Sequence, residues 1–129
     1  MNSELLARLV QQIEDLPIYD IHTHIDARRP FARSLADIVG YHYYTELANS
    51  AQYRPDFADE TEPKEVVRQV VERLPLLANT VQFDWLAAIG EEFLGIERRW
   101  WLSRSWSELY RAAQDAIEAP GYRDRVLRR

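Results

Sequence analysis

The sequence has no cysteine, which excludes a disulfide framework. It also lacks any apolar run near the roughly 18 to 20 residues needed to cross a bilayer, and its first residues show neither a basic segment nor an apolar signal core. A chain without membrane association and with a cytoplasmic address is expected. Lysine is nearly missing: Lys64 is the one lysine among sixteen basic residues. Positive charge is not in excess either. With a net charge of −5 and arginines gathered only as the pairs Arg28-Arg29, Arg98-Arg99 and Arg128-Arg129, no nucleic-acid surface is expected. Internal repeats and low-complexity tracts are absent.

What is present fits one folded domain. The 129 residues are 47% hydrophobic and 12% aromatic, enough to bury a moderate core without extra cross-links. Leu5, Leu6, Leu9, Val10 and Ile13 recur at three- and four-residue spacing, which predicts an amphipathic helix from Ser3, its N-cap, to Leu16. Pro17 then opens a β-branched and aromatic stretch, Ile18 to Thr23, read as a strand. Ser34 is placed to cap a helix running to about Ser50. Residues 52–62 read as a long loop, and Pro63 suits the first position of the next helix. That helix carries a stripe of Val67, Val70, Val71, Leu74 and Leu77, with a kink expected at Pro75. Val81, Trp85, Ile89 and Phe93 continue the helical spacing to a Gly95 C-cap. Ser105 or Ser107 caps a helix with Leu109, Tyr110, Ala113 and Ile117, which ends near Pro120, and a final turn or two follows from Tyr122.

The reading is thus mainly α, about six helices with one β-strand. A lone strand cannot satisfy its own backbone N–H and C=O groups. Either Ile18 to Thr23 is not a strand, or its neighbours lie beyond Arg129 or in another chain.

Two clusters carry chemistry. In Asp20-Ile21-His22-Thr23-His24, strand alternation puts Asp20, His22, His24 and Asp26 on one face. Imidazoles about 6 to 7 Å apart at Cβ can both reach one Zn²⁺. Two ligands do not complete a catalytic zinc site, which uses about three protein ligands plus water. The opposite reading is a pair of structural histidines, one oriented by Asp20. The second cluster, Gly40-Tyr41-His42-Tyr43-Tyr44, joins an imidazole to phenols that donate hydrogen bonds. Its plain alternative is a packed core histidine beside Ile38 and Val39. The four tryptophans are expected in the core.

These landmarks, in this order, resemble the uronate (glucuronate) isomerases of the amidohydrolase superfamily, metal-dependent (β/α)₈ barrels. That family opens with a helix and a strand reading Asp-Tyr-His-Cys-His-Leu, against Asp20-Ile21-His22-Thr23-His24-Ile25. Its helix with Gly-Asp-His-Tyr-Lys-Trp-Arg compares with Gly40-Tyr41-His42-Tyr43. Later segments resemble Leu74-Pro75-Leu76-Leu77-Ala78-Asn79-Thr80, then Phe93-Leu94-Gly95-Ile96, and last Ala119-Pro120-Gly121-Tyr122-Arg123.

The resemblance covers nearly the whole chain but about the first third of a family enzyme. It implies the first barrel strand plus the helical insertion after it, with residues 1–33 as first helix and strand and 34–129 as insertion in a single domain. It implies His22 and His24 as ligands of a divalent metal, zinc, with Asp20 orienting an imidazole, and His42 and Tyr43 as substrate contacts for a small sugar acid. It names no catalytic residue within this span, so the chain alone is expected to be inactive and, with apolar faces left uncovered, to form a homo-oligomer. The chain departs from the family where Tyr41 replaces Asp, Tyr44-Thr45-Glu46 replaces Lys-Trp-Arg, and Val81-Gln82-Phe83-Asp84-Trp85-Leu86 replaces His-Trp-Thr-His-Leu-Glu. Loss of basic groups weakens recognition of a carboxylate. A hydrolase or decarboxylase of the same superfamily and a non-catalytic helical interaction module are the rival readings.

Overall fold

The computed structural model describes residues 3–17, 26, 28–44 and 62–128. The chain is mainly helical. Among the described residues the β-structure is an isolated antiparallel bridge between Asp26 and Arg29. The predicted strand lies outside the described residues, as do residues 52–61 of the predicted loop.

Helix α1 (Ser3–Glu14) begins on Ser3 itself, so Ser3 is inside the helix and not its cap. Each of its residues is exposed, including Leu5, Leu6, Leu9, Val10 and Ile13. Helix α2 (Leu35–Val39) starts where the sequence says, because Ser34 Oγ accepts from the Asp37 N–H while the Asp37 carboxylate accepts from the Ser34 N–H. The predicted helix is interrupted at Gly40, and residues 45–50 of its span lie outside the described residues. Gly40 closes it, donating to the Ala36 carbonyl at 2.8 Å. A Cβ at Gly40 would lie 2.6 Å from that same oxygen, so the close turn depends on glycine. The chain becomes helical again at residues 42–44.

Helix α3 (Pro63–Val71) has its proline in the first turn, where a missing N–H costs nothing. The expected kink at Pro75 is instead a full break. Residues 72 and 73 form a turn, and Pro75 sits in the first turn of a separate short helix, α4 (Leu74–Leu77). Thr80 caps α5 (Val81–Ile89), accepting from Phe83 N–H and donating to the Leu77 carbonyl at 2.6 Å. A π-helical turn, Gly90–Leu94, continues it to Gly95, whose φ of 65° is the left-handed conformation predicted for a C-cap. Trp100–Ser103 (α6) is a short helix that the sequence pattern does not predict. Helix α7 (Trp106–Glu118) has the capping box of Ser105 and Glu108, and α8 (Tyr122–Leu127) follows Gly121 at φ 82°. Eight α-helices and the π turn among the described residues exceed the six segments expected, because Pro75 and the Trp100–Trp101 pair each create a short helix of their own.

The core is built around α7, which packs against α2, α3, α8 and the π turn through Leu109 and Ala113. Leu35 and Val39 of α2, Val67, Val70 and Val71 of α3, Phe83 and Leu86 of α5, Ile96 and Trp101 complete it. Full burial of each such large apolar side chain contributes about 1.5–3 kcal/mol. The stripe read from sequence on α5 is displaced: Phe83, Leu86 and Ala87 are buried, whereas Val81 and Trp85 are exposed. Spacing of four from Val81 also fits a helix, but only the Phe83 register places both Gly90 and Leu94 inward. Trp101 is in the core as expected, Trp100 and Trp106 are half-buried, and Trp85 is on the surface.

Candidate functional site

Asp20, His22 and His24 lie outside the described residues. His42 and Tyr43 are described, on the helical turn that restarts after Gly40. The turn is held by the Tyr44 N–H donating to the Tyr41 carbonyl at 2.9 Å, and Tyr44 is buried as its anchor. The His42 ring sits between two phenol rings, with centroids 4.3 Å from Tyr41 and 4.3 Å from Tyr43. Tyr41 and Tyr43 meet edge to face at 5.1 Å, a favoured aromatic arrangement. His42 is half-buried, consistent with its expected near-inward direction.

The two residues are adjacent but face different spaces. His42 lines a cavity of about 450 Å³ with Gly40, Pro63 and Val66. Tyr43 lines another of about 450 Å³ with Ile38, Trp85 and Ile89. Tyr41 and Asp37 border both. Trp85 is a residue that the sequence reading assigned to the core. The structure instead sets its ring 6.3 Å from Tyr43, more than half exposed. The signal was available: Trp85 is off the stripe formed by Phe83, Leu86, Ala87 and Gly90.

Burial pushes the Tyr44 hydroxyl up to about 12, and burial together with the neighbouring Tyr43 raises that of Tyr41. Both phenols are therefore neutral hydrogen-bond donors at physiological pH. Among the described residues, no Lys or Arg lines the Tyr43–Trp85 cavity. It suits an apolar or aromatic surface, and an anion bound there would lack a guanidinium partner.

A third cavity, of about 430 Å³, is formed between the Asp26–Arg29 turn and the start of α2. Arg29, Phe31, Arg33 and Ser34 line it, together with Asp26 and Asp37. The sequence reading treated this segment as a connection.

Among the described residues, no three His, Asp or Glu side chains come together as a group able to hold a metal ion. The metal reading therefore rests on the residue types and spacing of His22 and His24. No helix among the described residues is long and apolar enough to cross a membrane. No known family model matches this chain, and no curated protein does so either.

Proposed function

We propose that the chain is the N-terminal portion of a metal-dependent amidohydrolase-superfamily enzyme resembling the uronate isomerases, its parent interconverting aldose and ketose forms of hexuronates such as glucuronate. The observation that carries this reading is the ordered set of landmarks beginning with Asp20-Ile21-His22-Thr23-His24 and continuing through Gly40-Tyr41-His42-Tyr43. A mainly helical body after the histidine pair supports it, because the resemblance implies a helical insertion between the first two strands of a (β/α)₈ barrel.

In this reading His22 and His24 hold a divalent ion, zinc, and Asp20 orients one imidazole. The ion, when bound, polarises oxygen atoms of the sugar acid. Isomerisation moves a proton between neighbouring carbons and another between their oxygens, with no net change in composition. His42 and Tyr43 hydrogen-bond those oxygens as charge shifts. The isolated chain is inactive because the rest of the barrel supplies the remaining ligands. A cytoplasmic address belongs to the same proposal.

The test is a substrate screen on the full-length gene product. Turnover of hexuronates, with none of amides, lactones or carboxylated aromatics, is the expected result; the reverse pattern assigns the parent to the hydrolases or decarboxylases. The Tyr43–Trp85 cavity, with no cation among the described residues that line it, is the observation that favours that second reading. The exposed Leu5, Leu6, Leu9, Val10, Ile13 and Leu16 side chains favour a third, a helical interaction module that forms homo-oligomers. Zinc retention after dialysis separates these readings. Metal that is kept by the wild type and lost in His22→Ala supports the enzyme reading.

A further inference from the structure

Among the described residues, the cavity between the Asp26–Arg29 turn and α2 is lined by cations, Arg29 and Arg33, and the two cavities at His42 and Tyr43 are not. Among the described residues neither Arg29 nor Arg33 is ion-paired, whereas Arg68, Arg98, Arg99 and Arg104 each hold a carboxylate. Both free guanidiniums stand on a fixed backbone. Asp26 Oδ1 accepts from the Arg28 N–H at 2.8 Å, and the Arg29 N–H donates to the Asp26 carbonyl at 2.8 Å, closing the turn that presents Arg29. Asp37 Oδ2 accepts from the Arg33 N–H at 2.8 Å and from the Ser34 N–H at 3.1 Å, fixing the point from which Arg33 projects. Phe31 lines the same cavity, edge-on to Tyr122 at 6.4 Å and with the Arg123 guanidinium 5.8 Å above its ring.

We infer that this cavity binds a hydroxylated monocarboxylate, a sugar acid, through a carboxylate on Arg29 and Arg33 and hydroxyls on Asp26, Asp37 and Ser34. The inference rests on the functional reading above and supplies its carboxylate-binding residues. Guanidinium forks match a carboxylate in geometry and charge. Each aspartate uses one oxygen on backbone N–H groups and offers the other to a ligand hydroxyl. The Phe31 ring gives an apolar wall for the C–H face of a sugar. Two carboxylates beside two guanidiniums disfavour a multiply charged phosphate, so the balance of charge selects a singly charged, hydroxyl-rich acid. At about 430 Å³ the cavity falls within the roughly 300–1,000 Å³ of small-molecule sites. It is built from residues that begin two positions after His24 in the chain.

The test is titration of the purified chain with glucuronate, glucose and inorganic phosphate in the presence of a chelator, followed by calorimetry or ligand-detected NMR. Glucuronate is expected to bind at least about tenfold more tightly than glucose, and Arg29→Gln and Arg33→Gln each to weaken it about tenfold with circular dichroism unchanged. Arg33→Lys, which keeps the charge without the fork, restores part of the loss. Glucuronate binding no better than glucose, phosphate binding more tightly than glucuronate, or variants indistinguishable from wild type would each overturn the inference. Because the chelator removes metal, this outcome is independent of zinc retention. Absence of zinc retention by the chain alone leaves the cavity assignment standing, and the substrate screen on the full-length gene product decides the functional reading.

Discussion

Replacing Gly90 with alanine opposes two effects of known sign. The Gly90 backbone, at φ −59° and ψ −49°, is ordinary right-handed helix, so in the absence of neighbours alanine would stabilise it by about 1 kcal/mol. The neighbours decide otherwise. A Cβ there would meet Trp101 Nε1 at 2.7 Å, Trp101 Cζ2 at 2.9 Å and the Ile96 carbonyl oxygen at 3.0 Å. Trp101 is 1% exposed and cannot swing into solvent. The Ile96 N–H donates to the Gly90 carbonyl at 2.9 Å, which ties the two backbones together and blocks relief by a local shift. Overpacking of this kind costs about 1–3 kcal/mol, and the tied backbone places it at the upper end. The net expectation is a loss of about 2 kcal/mol, or about 1 M in the urea midpoint at a slope of ~2 kcal/mol/M. Trp101→Phe removes both Nε1 and Cζ2, so Gly90→Ala made in that background should cost at least about 1 kcal/mol less. An unchanged or higher midpoint for Gly90→Ala refutes the reasoning, because the helix-propensity gain would then have prevailed over the contact with Trp101.

Ser105→Ala breaks the capping box of α7 and is expected to cost about 1 kcal/mol by urea unfolding, with helix content retained. The same cap makes stability pH-dependent. Hydrogen bonds from Ser105 hold the Glu108 carboxyl below its ordinary range, and Arg68 with Gln69 lowers Glu65 to about 2. Both values are depressed by folding, so the unfolded chain takes up protons first. Their contribution is complete above about pH 4.3 and is lost as pH falls toward the folded values. The gap in urea midpoint between wild type and Ser105→Ala should narrow as pH is lowered through the depressed folded value of Glu108, the part due to the Ser105 Oγ cap of the Glu108 N–H remaining, and a constant gap contradicts this. Glutamate at both Leu9 and Ile13 should abolish concentration-dependent association in sedimentation, since both side chains are exposed and no core is disturbed; association that persists excludes α1 as the interface. Asp37→Asn should lower the Tyr122 hydroxyl toward its ordinary value in an alkaline absorbance titration. Burial raises that group first, Arg125 lowers it, and the Asp37 charge raises it further. An unchanged titration would remove Asp37 from that field.

Features set by neighbouring residues were legible in the sequence. Ser34 and Ser105 as caps, Pro63 in a first turn, Gly95 as a left-handed C-cap, and Leu109 with Ala113 as the inner face of α7 each follow from contacts within about four residues. The departures arise where distant groups decide. Periodicity over residues 34–50 has no way to register that the Gly40 turn closes α2 onto the Ala36 carbonyl. The register of α5 depends on Trp101 packing over Gly90, a contact across the π turn and Gly95. For the same reason Trp85, an indole expected inside, stands beside Tyr43. Arg29 and Arg33 read as a basic connection until the Asp26 turn and the α2 cap present both to one cavity.

Asp37 links the stability of α2 to all three cavities. Its carboxylate starts α2 by accepting from the Arg33 and Ser34 N–H groups, and the same residue borders the Arg29–Arg33 cavity, the His42 cavity and the Tyr43–Trp85 cavity. A cap residue is ordinarily replaceable at about 1 kcal/mol. Here it also fixes the spacing between walls, because α2 carries Ile38 to one cavity and Ala36 to another within a single helix of five residues. Leu35 and Val39, both fully buried, lock the opposite face of that helix into the core. The short helix can therefore neither rotate nor slide without exposing them. By accepting from the Arg33 and Ser34 N–H groups, the Asp37 carboxylate ties the backbone that carries Arg33 to that anchored helix.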